Sequence, residues 1–268
     1  MNNANTFAIT GRRGLQEFWS VTTRVFPAFI LALAGGVLSS LYTVSHARLC
    51  RMISLAAGTL LGVTLFSIIP ESLQVLPVWQ LVLSMGSGYA VFYLISRYVF
   101  HVCPACAASH FDEATTHRFG EIAAGMVIAL GLHSTMDGLA LACGIKEGAS
   151  ASLNSSMFFA ICIHKVPEGL ALCALLLAAG FRKRIALIWV AVVEATTLLG
   201  GAIGLWVIPR ASELWLDLLL AHVGGGFIFL ALHAVFGELV KHGKKQVLIF
   251  FFSGVALIAA LTIFIHGH

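Results

Sequence analysis

Apolar residues run in eight long stretches broken by short polar, glycine- or proline-marked gaps, near 23–45, 52–76, 78–99, 121–145, 154–180, 185–208, 214–240 and 246–266. Each approaches the roughly 20 residues that a helix needs to cross a bilayer core about 30 Å thick. The pattern predicts an all-α integral membrane protein, a bundle of eight transmembrane helices. Residues 1–22 read as an N-terminal segment and 23–268 as the transmembrane domain. The one sizeable loop is HVCPACAASHFDEATTHRFG at 101–120. The first 20 residues hold no apolar run resembling a signal peptide, so no cleaved leader is expected.

Composition turns that pattern into an exclusion. Of 268 residues, 59% are hydrophobic and 10% charged, against about 25% charged in an ordinary soluble domain. So little charge cannot cover a water-facing surface, which excludes a soluble enzyme and a nucleic-acid binder. The net charge of +4 reads as a topology signal rather than as evidence of an anionic partner. With the amino terminus outside, the inner loops hold ten basic residues: Arg48, Arg51, Arg97, Arg118, Arg182, Lys183, Arg184, Lys241, Lys244 and Lys245. The outer segments hold five: Arg12, Arg13, Arg24, Lys146 and Arg210. Lysine and arginine concentrate on the cytoplasmic side, so both termini are expected outside the cytoplasm and the 101–120 loop within it. Cys143, Cys162 and Cys173 lie in apolar stretches and read as packing residues.

The sixteenth basic residue, Lys165, falls inside a predicted span, among other ionisable residues. The fourth span reads GLHSTMDGLALA and the fifth CIHKVPEGLALC. A charged side chain at mid-membrane costs about 2.5–3.5 kcal/mol on insertion scales, so such residues point to function. His133 and Asp137 are four apart, as are His164 and Glu168, and residues at i and i+4 share a helix face. Each span thus offers one imidazole and one carboxylate in one direction, and the two together make a four-ligand site between helices 4 and 5. Gly138 and Gly169 directly follow the carboxylates and Pro167 precedes Glu168, which fits a site at a bent, close helix contact. Two imidazoles with two carboxylates suit zinc, ferrous iron, manganese, cobalt or cadmium better than magnesium, calcium or cuprous copper.

HKVPEGLAL at 164–172 resembles the fifth-helix signature of the ZIP (Zrt/Irt-like protein) metal transporters, and HSTMDGLAL at 133–141 is similar to their fourth-helix signature. AAGTLLGVTLFSIIPESL at 56–73 resembles the family's second helix, and GGGFIFLALHAVFGEL at 224–239 its seventh. The chain looks closest to the bacterial GufA-like type. The resemblance implies eight helices, both ends outside, a variable metal-binding loop between helices 3 and 4, a possible homodimer, and import of a divalent metal, zinc first and iron, manganese or cadmium next. It implies a bacterial inner-membrane protein and no resident cofactor. Family members often hold two adjacent metals, and the positions that shape the second are here Ser134, Lys165 and Glu194. A lysine ammonium beside a dication repels it, so Lys165 is expected to replace the second metal, paired with Glu194, in a mononuclear site. Asp137 and Met136 stand where the family usually has glutamate and proline, and Ser67 where the second helix often has histidine.

Glu71, His222, His233 and Ser67 are the remaining pathway candidates. The ion is expected to leave inward past Glu71 and His233, with one helix bundle rocking against another around a midplane site. Because ligands bind metal deprotonated, acid is expected to inhibit. In the loop, His101, Cys103, Cys106, His110 and His117 form H-x-C-x2-C with two further histidines, a spacing at which thiolates grip zinc. Two rival classes use the same residues. One is an intramembrane zinc hydrolase on His133, Ser134, Asp137, His164 and His233, although the HExxH signal of metalloproteases is absent. The other is a proton or sodium transporter on Asp137, Glu168, Glu194 and Lys165, which leaves the paired histidines idle.

Overall fold

The computed structural model describes residues 3–42, 46–99, 116–145, 150–241 and 244–266. Among them the chain is helical throughout, with no strand. The helices are α1 (Asn3–Leu41), α2 (His46–Val63), α3 (Val78–Leu94), α4 (Thr116–Cys143), α5 (Ala151–Ala178), α6 (Lys183–Val207), α7 (Glu213–Lys241) and α8 (Lys244–His266). Among the described residues seven stretches are long and apolar enough to cross a membrane, and in α4 the stretch Val127–Cys143 is apolar over a shorter length. The eight predicted spans therefore each coincide with a helix.

One boundary differs from expectation, and one helix reaches its expected length only through an irregular turn. α1 starts at Asn3, so the segment 1–22 is largely continuous with the first helix rather than separate from it. No proline precedes Pro27, so no backbone donor is missing to stop the helix as it leaves the apolar layer. α2 does not end at Val63 but runs on through a π-helical turn, Thr64–Ile68, into a last α-helical turn, Ile69–Ser72. The π turn sits just before Pro70, which has no N–H to offer the carbonyl one α-helical turn back. The wider turn re-pairs the backbone, with the Ile69 N–H donating to the Thr64 carbonyl.

The helices pack as two groups of four. In one, α4 lies along α6, α1 along α5 and α6, and α4 touches α5; in the other, α2 lies along α8, α3 along α7, and α2 touches α7. The groups meet mainly where α5 crosses α2 and α8. Within each group the close pairs are built from glycine in both directions. Gly138 of α4 rests on the Thr197 carbonyl of α6 while Gly200 of α6 rests on the Thr135 carbonyl of α4, and Gly35 and Gly169 do the same between α1 and α5. Gly58 with Gly254 joins α2 to α8, and Gly88 with Gly225 joins α3 to α7. A methyl group at any of these positions would overlap a backbone oxygen. In a bilayer, where apolar burial gives little drive between helices, such backbone approach supplies the packing energy.

Gly138 and Gly169 follow the two carboxylates as the sequence has it, but they do not bring α4 to α5. They dock the two helices onto α6 and α1, because the glycine next to an inward-facing residue points to a different helix face. The site then lies among α4, α5 and α6, backed by a buried apolar cluster including Leu130, Leu170, Leu172 and Val190. Outward faces carry large exposed apolar side chains such as Trp79, Trp215, Phe252 and Ile263, the surface a lipid environment requires.

Candidate metal centre

In α4 and α5 the i, i+4 spacing does locally what helix geometry demands. His133 Nε2 lies 3.5 Å from Asp137 Oδ2, and His164 Nε2 lies 3.9 Å from Glu168 Oε2. Tertiary packing then closes the square. His164 Nε2 reaches across to Asp137 Oδ2 at 3.1 Å, His133 Nε2 lies 3.9 Å from Glu168 Oε2, and the two imidazole centroids are 5.3 Å apart. One donor atom from each of the four residues falls within 4.8 Å of all the others.

The protonation pattern is legible at His164. Its Nδ1 lies 3.0 Å from the Ala160 carbonyl oxygen, which can only accept, so Nδ1 carries the hydrogen. Nε2 is then the ring atom turned toward Asp137 Oδ2, at 3.1 Å. Buried polar atoms at the same place have no hydrogen-bond partner: His133 Nδ1, Asp137 Oδ1 and Glu194 Oε1. Leaving such groups unpaired is costly, and a divalent ion with its remaining water is the chemistry that this donor set fits.

On the far side of the carboxylates stands Lys165, fully buried. Its Nζ donates to Ser134 Oγ at 2.7 Å and to Glu194 Oε2 at 3.0 Å. It also contacts Glu168 Oε2 at 2.8 Å and Asp137 Oδ2 at 2.9 Å. Ser134 Oγ in turn donates to Glu168 Oε1 at 2.9 Å. The expected pairing with Glu194 is present, but it is one of three carboxylate contacts rather than the sole one.

The ZIP zinc transporter family model matches residues 105–262, more than half of the chain. The chain belongs to the ZIP family. Membership places it among transporters rather than enzymes and removes the hydrolase reading. A protein of Schizosaccharomyces pombe named as an uncharacterized zinc transporter is 30% identical over 118 residues, covering 41% of this chain and 26% of the relative. The zinc transporter YKE4 of Saccharomyces cerevisiae is 26% identical over 246 residues, covering 80% of this chain and 70% of that protein. The chain thus spans about a quarter of the first relative and most of the second.

The remaining sequence candidates of this ZIP protein scatter. Glu71 is buried at the end of α2, where its Oε1 accepts the Ser150 N–H at 3.0 Å. Ser150 is the N-cap of α5, so Glu71 ties α2 to the first turn of α5, where a carboxylate is favoured by the helix dipole. Ser67, also buried, lies 3.5 Å from Thr262 Oγ1 of α8, which bonds Ser156 Oγ of α5 at 3.0 Å. These residues all sit toward the end of the bundle where α5 begins. His233 lies in the opposite half of α7, stacked on Phe229 with centroids 4.9 Å apart. A single inward route past both Glu71 and His233 is therefore corrected: the two lie toward opposite ends, because α2 and α7 are antiparallel and each residue lies toward the C-terminal end of its own helix.

His222 bonds Ser87 Oγ of α3 at 2.8 Å and lines a lipid-side groove of about 550 Å³ with Trp79, Gln80 and Trp215. Neither His222 nor His233 joins the four-donor cluster. His101, Cys103, Cys106 and His110 lie outside the described residues, as does the side chain of His117. Sequence reasoning missed Ser156 and Thr262, and had no signal for them, because isolated hydroxyls are common in membrane helices and bond their own backbone.

Proposed function

We propose that this ZIP protein carries a single divalent transition-metal ion, zinc foremost and iron, manganese or cadmium next, into the cytoplasm, with His133, Asp137, His164 and Glu168 as its ligands. The observation that carries the reading is the convergence of two imidazole and two carboxylate donors within 4.8 Å in the middle of the bundle. Zinc is favoured by the names of the family model and of both relatives. One ion rather than two is favoured by the Lys165 ammonium, which stands at the position of a second metal and repels one. Orientation rests on the ten-to-five distribution of basic residues, which puts both termini outside. On that orientation Glu71, Ser67 and Thr262 line the outer side, the entry, and His233 the inner side, the exit. A bacterial plasma membrane and the GufA-like type rest on the motif resemblance alone, both relatives being fungal.

The ion sheds water as the four side chains replace it. The two helix groups then move against each other where α5 meets α2 and α8. Saturable uptake of radioactive zinc into proteoliposomes tests the reading. His164→Ala is expected to remove uptake, since it deletes one of four ligands and leaves three charged or polar groups unserved. Unchanged uptake in His164→Ala, or wild-type transport that persists in rigorously chelated buffer with only protons or sodium present, refutes it.

A further inference from the structure

Lys165 has more partners than it can serve. An ammonium has three N–H donors, yet four oxygens from three helices lie within 3.0 Å of Nζ: Ser134 Oγ, Glu168 Oε2, Asp137 Oδ2 and Glu194 Oε2. They divide into two pairs. Asp137 Oδ2 and Glu168 Oε2 are the oxygens that also face the imidazole Nε2 atoms, at 3.1–3.9 Å. Ser134 Oγ and Glu194 Oε2 belong to the other side, and among the described residues neither imidazole pairs with Glu194. The carboxylate oxygens nearest the imidazoles, where a metal would first be drawn, are therefore the two that the ammonium also contacts.

We propose that Lys165 is a tethered competitor of the transported ion, withdrawing onto Ser134 and Glu194 when the ion enters and returning to Asp137 and Glu168 when it leaves. This rests on the metal-transport reading and adds to it what sets affinity and release. One position of Nζ already touches both pairs, at 2.7–3.0 Å, so a small side-chain shift with no movement of the backbone would favour one pair over the other. Ser134 serves as the bearing: its oxygen accepts from Lys165 while its one hydroxyl hydrogen donates to Glu168 Oε1 at 2.9 Å, the shorter of its two carboxylate contacts, Glu194 Oε2 lying at 3.3 Å. Charge points the same way. Three carboxylates and one ammonium leave a charge of minus two, which one divalent ion cancels and a second would over-fill. In a low-dielectric surround an uncancelled charge is expensive, so Lys165 fixes the load at one ion and lowers the affinity with which it is held.

Zinc titration of purified protein by calorimetry, on wild type, Lys165→Met, Glu194→Gln and the double variant, separates this from its alternatives, with proteoliposome uptake measured alongside. Wild type is expected to bind one zinc per chain. Lys165→Met should bind roughly tenfold tighter or more and release more slowly, so that uptake turnover falls while affinity rises. Glu194→Gln removes the withdrawn position and should weaken binding several-fold. The gain from Lys165→Met should be larger in the Glu194→Gln background than in wild type, because there the ammonium has lost its second carboxylate. Equal or weaker binding in Lys165→Met, or equal gains in the two backgrounds, overturns the proposal while wild-type binding and uptake leave the transport reading standing. Wild type that neither binds nor moves zinc overturns both. Should Lys165→Met fail to fold, Lys165→Gln carries the same comparison, and zinc binding by Glu194→Gln that is no weaker than wild type overturns the proposal by itself.

Discussion

Between α4 and α6, glycine meets a backbone carbonyl in both directions; between α5 and the α2–α8 pair, hydroxyls meet one another through Ser156, Thr262 and Ser67. The first contact has no slack. A shift of either helix along the other drives a Cα into a neighbouring oxygen or opens a gap that nothing fills, and dispersion falls steeply with such a gap. The second contact can exchange partners, since a hydroxyl both donates and accepts and rotates to suit. All four reciprocal glycine pairs join helices of one group, whereas the Ser156–Thr262 hydrogen bond joins the groups. The arrangement is that of two groups held internally by glycine contacts and meeting across a seam of apolar side chains and hydroxyls, with the donor cluster in one group close to that seam.

The strongest way to break this comparison is to weld the seam. Ser156→Cys with Thr262→Cys, oxidised to a cross-link between groups, is expected to abolish zinc uptake and to restore it on reduction. Gly36→Cys with Val190→Cys welds α1 to α6 inside one group, where a Cβ built at Gly36 would lie 3.5 Å from Val190 Cβ, within the range of a disulfide. That cross-link should leave most uptake intact. If both pairs block uptake equally, the two contacts do not differ as described.

Next in size is the glycine contact itself. Gly138→Val places a branched side chain against the Thr197 carbonyl, and overpacking of that kind costs about 1–3 kcal/mol or more. The expected outcome is poor recovery of folded protein and a lowered thermal transition in detergent, whereas Gly86→Ala, with nothing within 4 Å of its Cβ position, should match wild type. Glu71→Gln keeps an acceptor for the Ser150 N–H but removes the charge at the α5 N-terminus, at a cost of about 0.3–1 kcal/mol, read as a small fall in the same transition. Smallest is Ser156→Ala, which deletes one interhelical hydrogen bond worth about 0.6 kcal/mol on average in a membrane. A Ser156→Ala loss as large as that of Gly138→Val would reverse the ranking on which the two-group reading depends.

Much of the architecture could be read along the chain because membrane helices announce themselves locally. Eight apolar stretches became eight helices, since each must satisfy its own backbone in lipid. The two His/carboxylate pairs were equally legible, because i, i+4 adjacency is a property of one helix. The misreadings arose where one helix had to be placed against another. Glycines beside Asp137 and Glu168 were assigned to the contact of α4 with α5 but dock those helices on α6 and α1. Glu71 and His233 were set on one route although they lie in opposite halves of the bundle.

By itself, then, the sequence determined that this is a membrane bundle of helices, that its middle holds two imidazoles and two carboxylates, and that a lysine stands among them. Only the tertiary structure decided that His164 reaches Asp137 across the helix boundary at 3.1 Å, and that Lys165 touches three carboxylates, from α4, α5 and α6. The reason is physical. Spacing along a helix fixes direction about its own axis, whereas distance to another helix depends on how closely two backbones approach. Here α4 and α5 are placed indirectly, each docked by reciprocal glycine contacts on a third helix, α6 for α4 and α1 for α5.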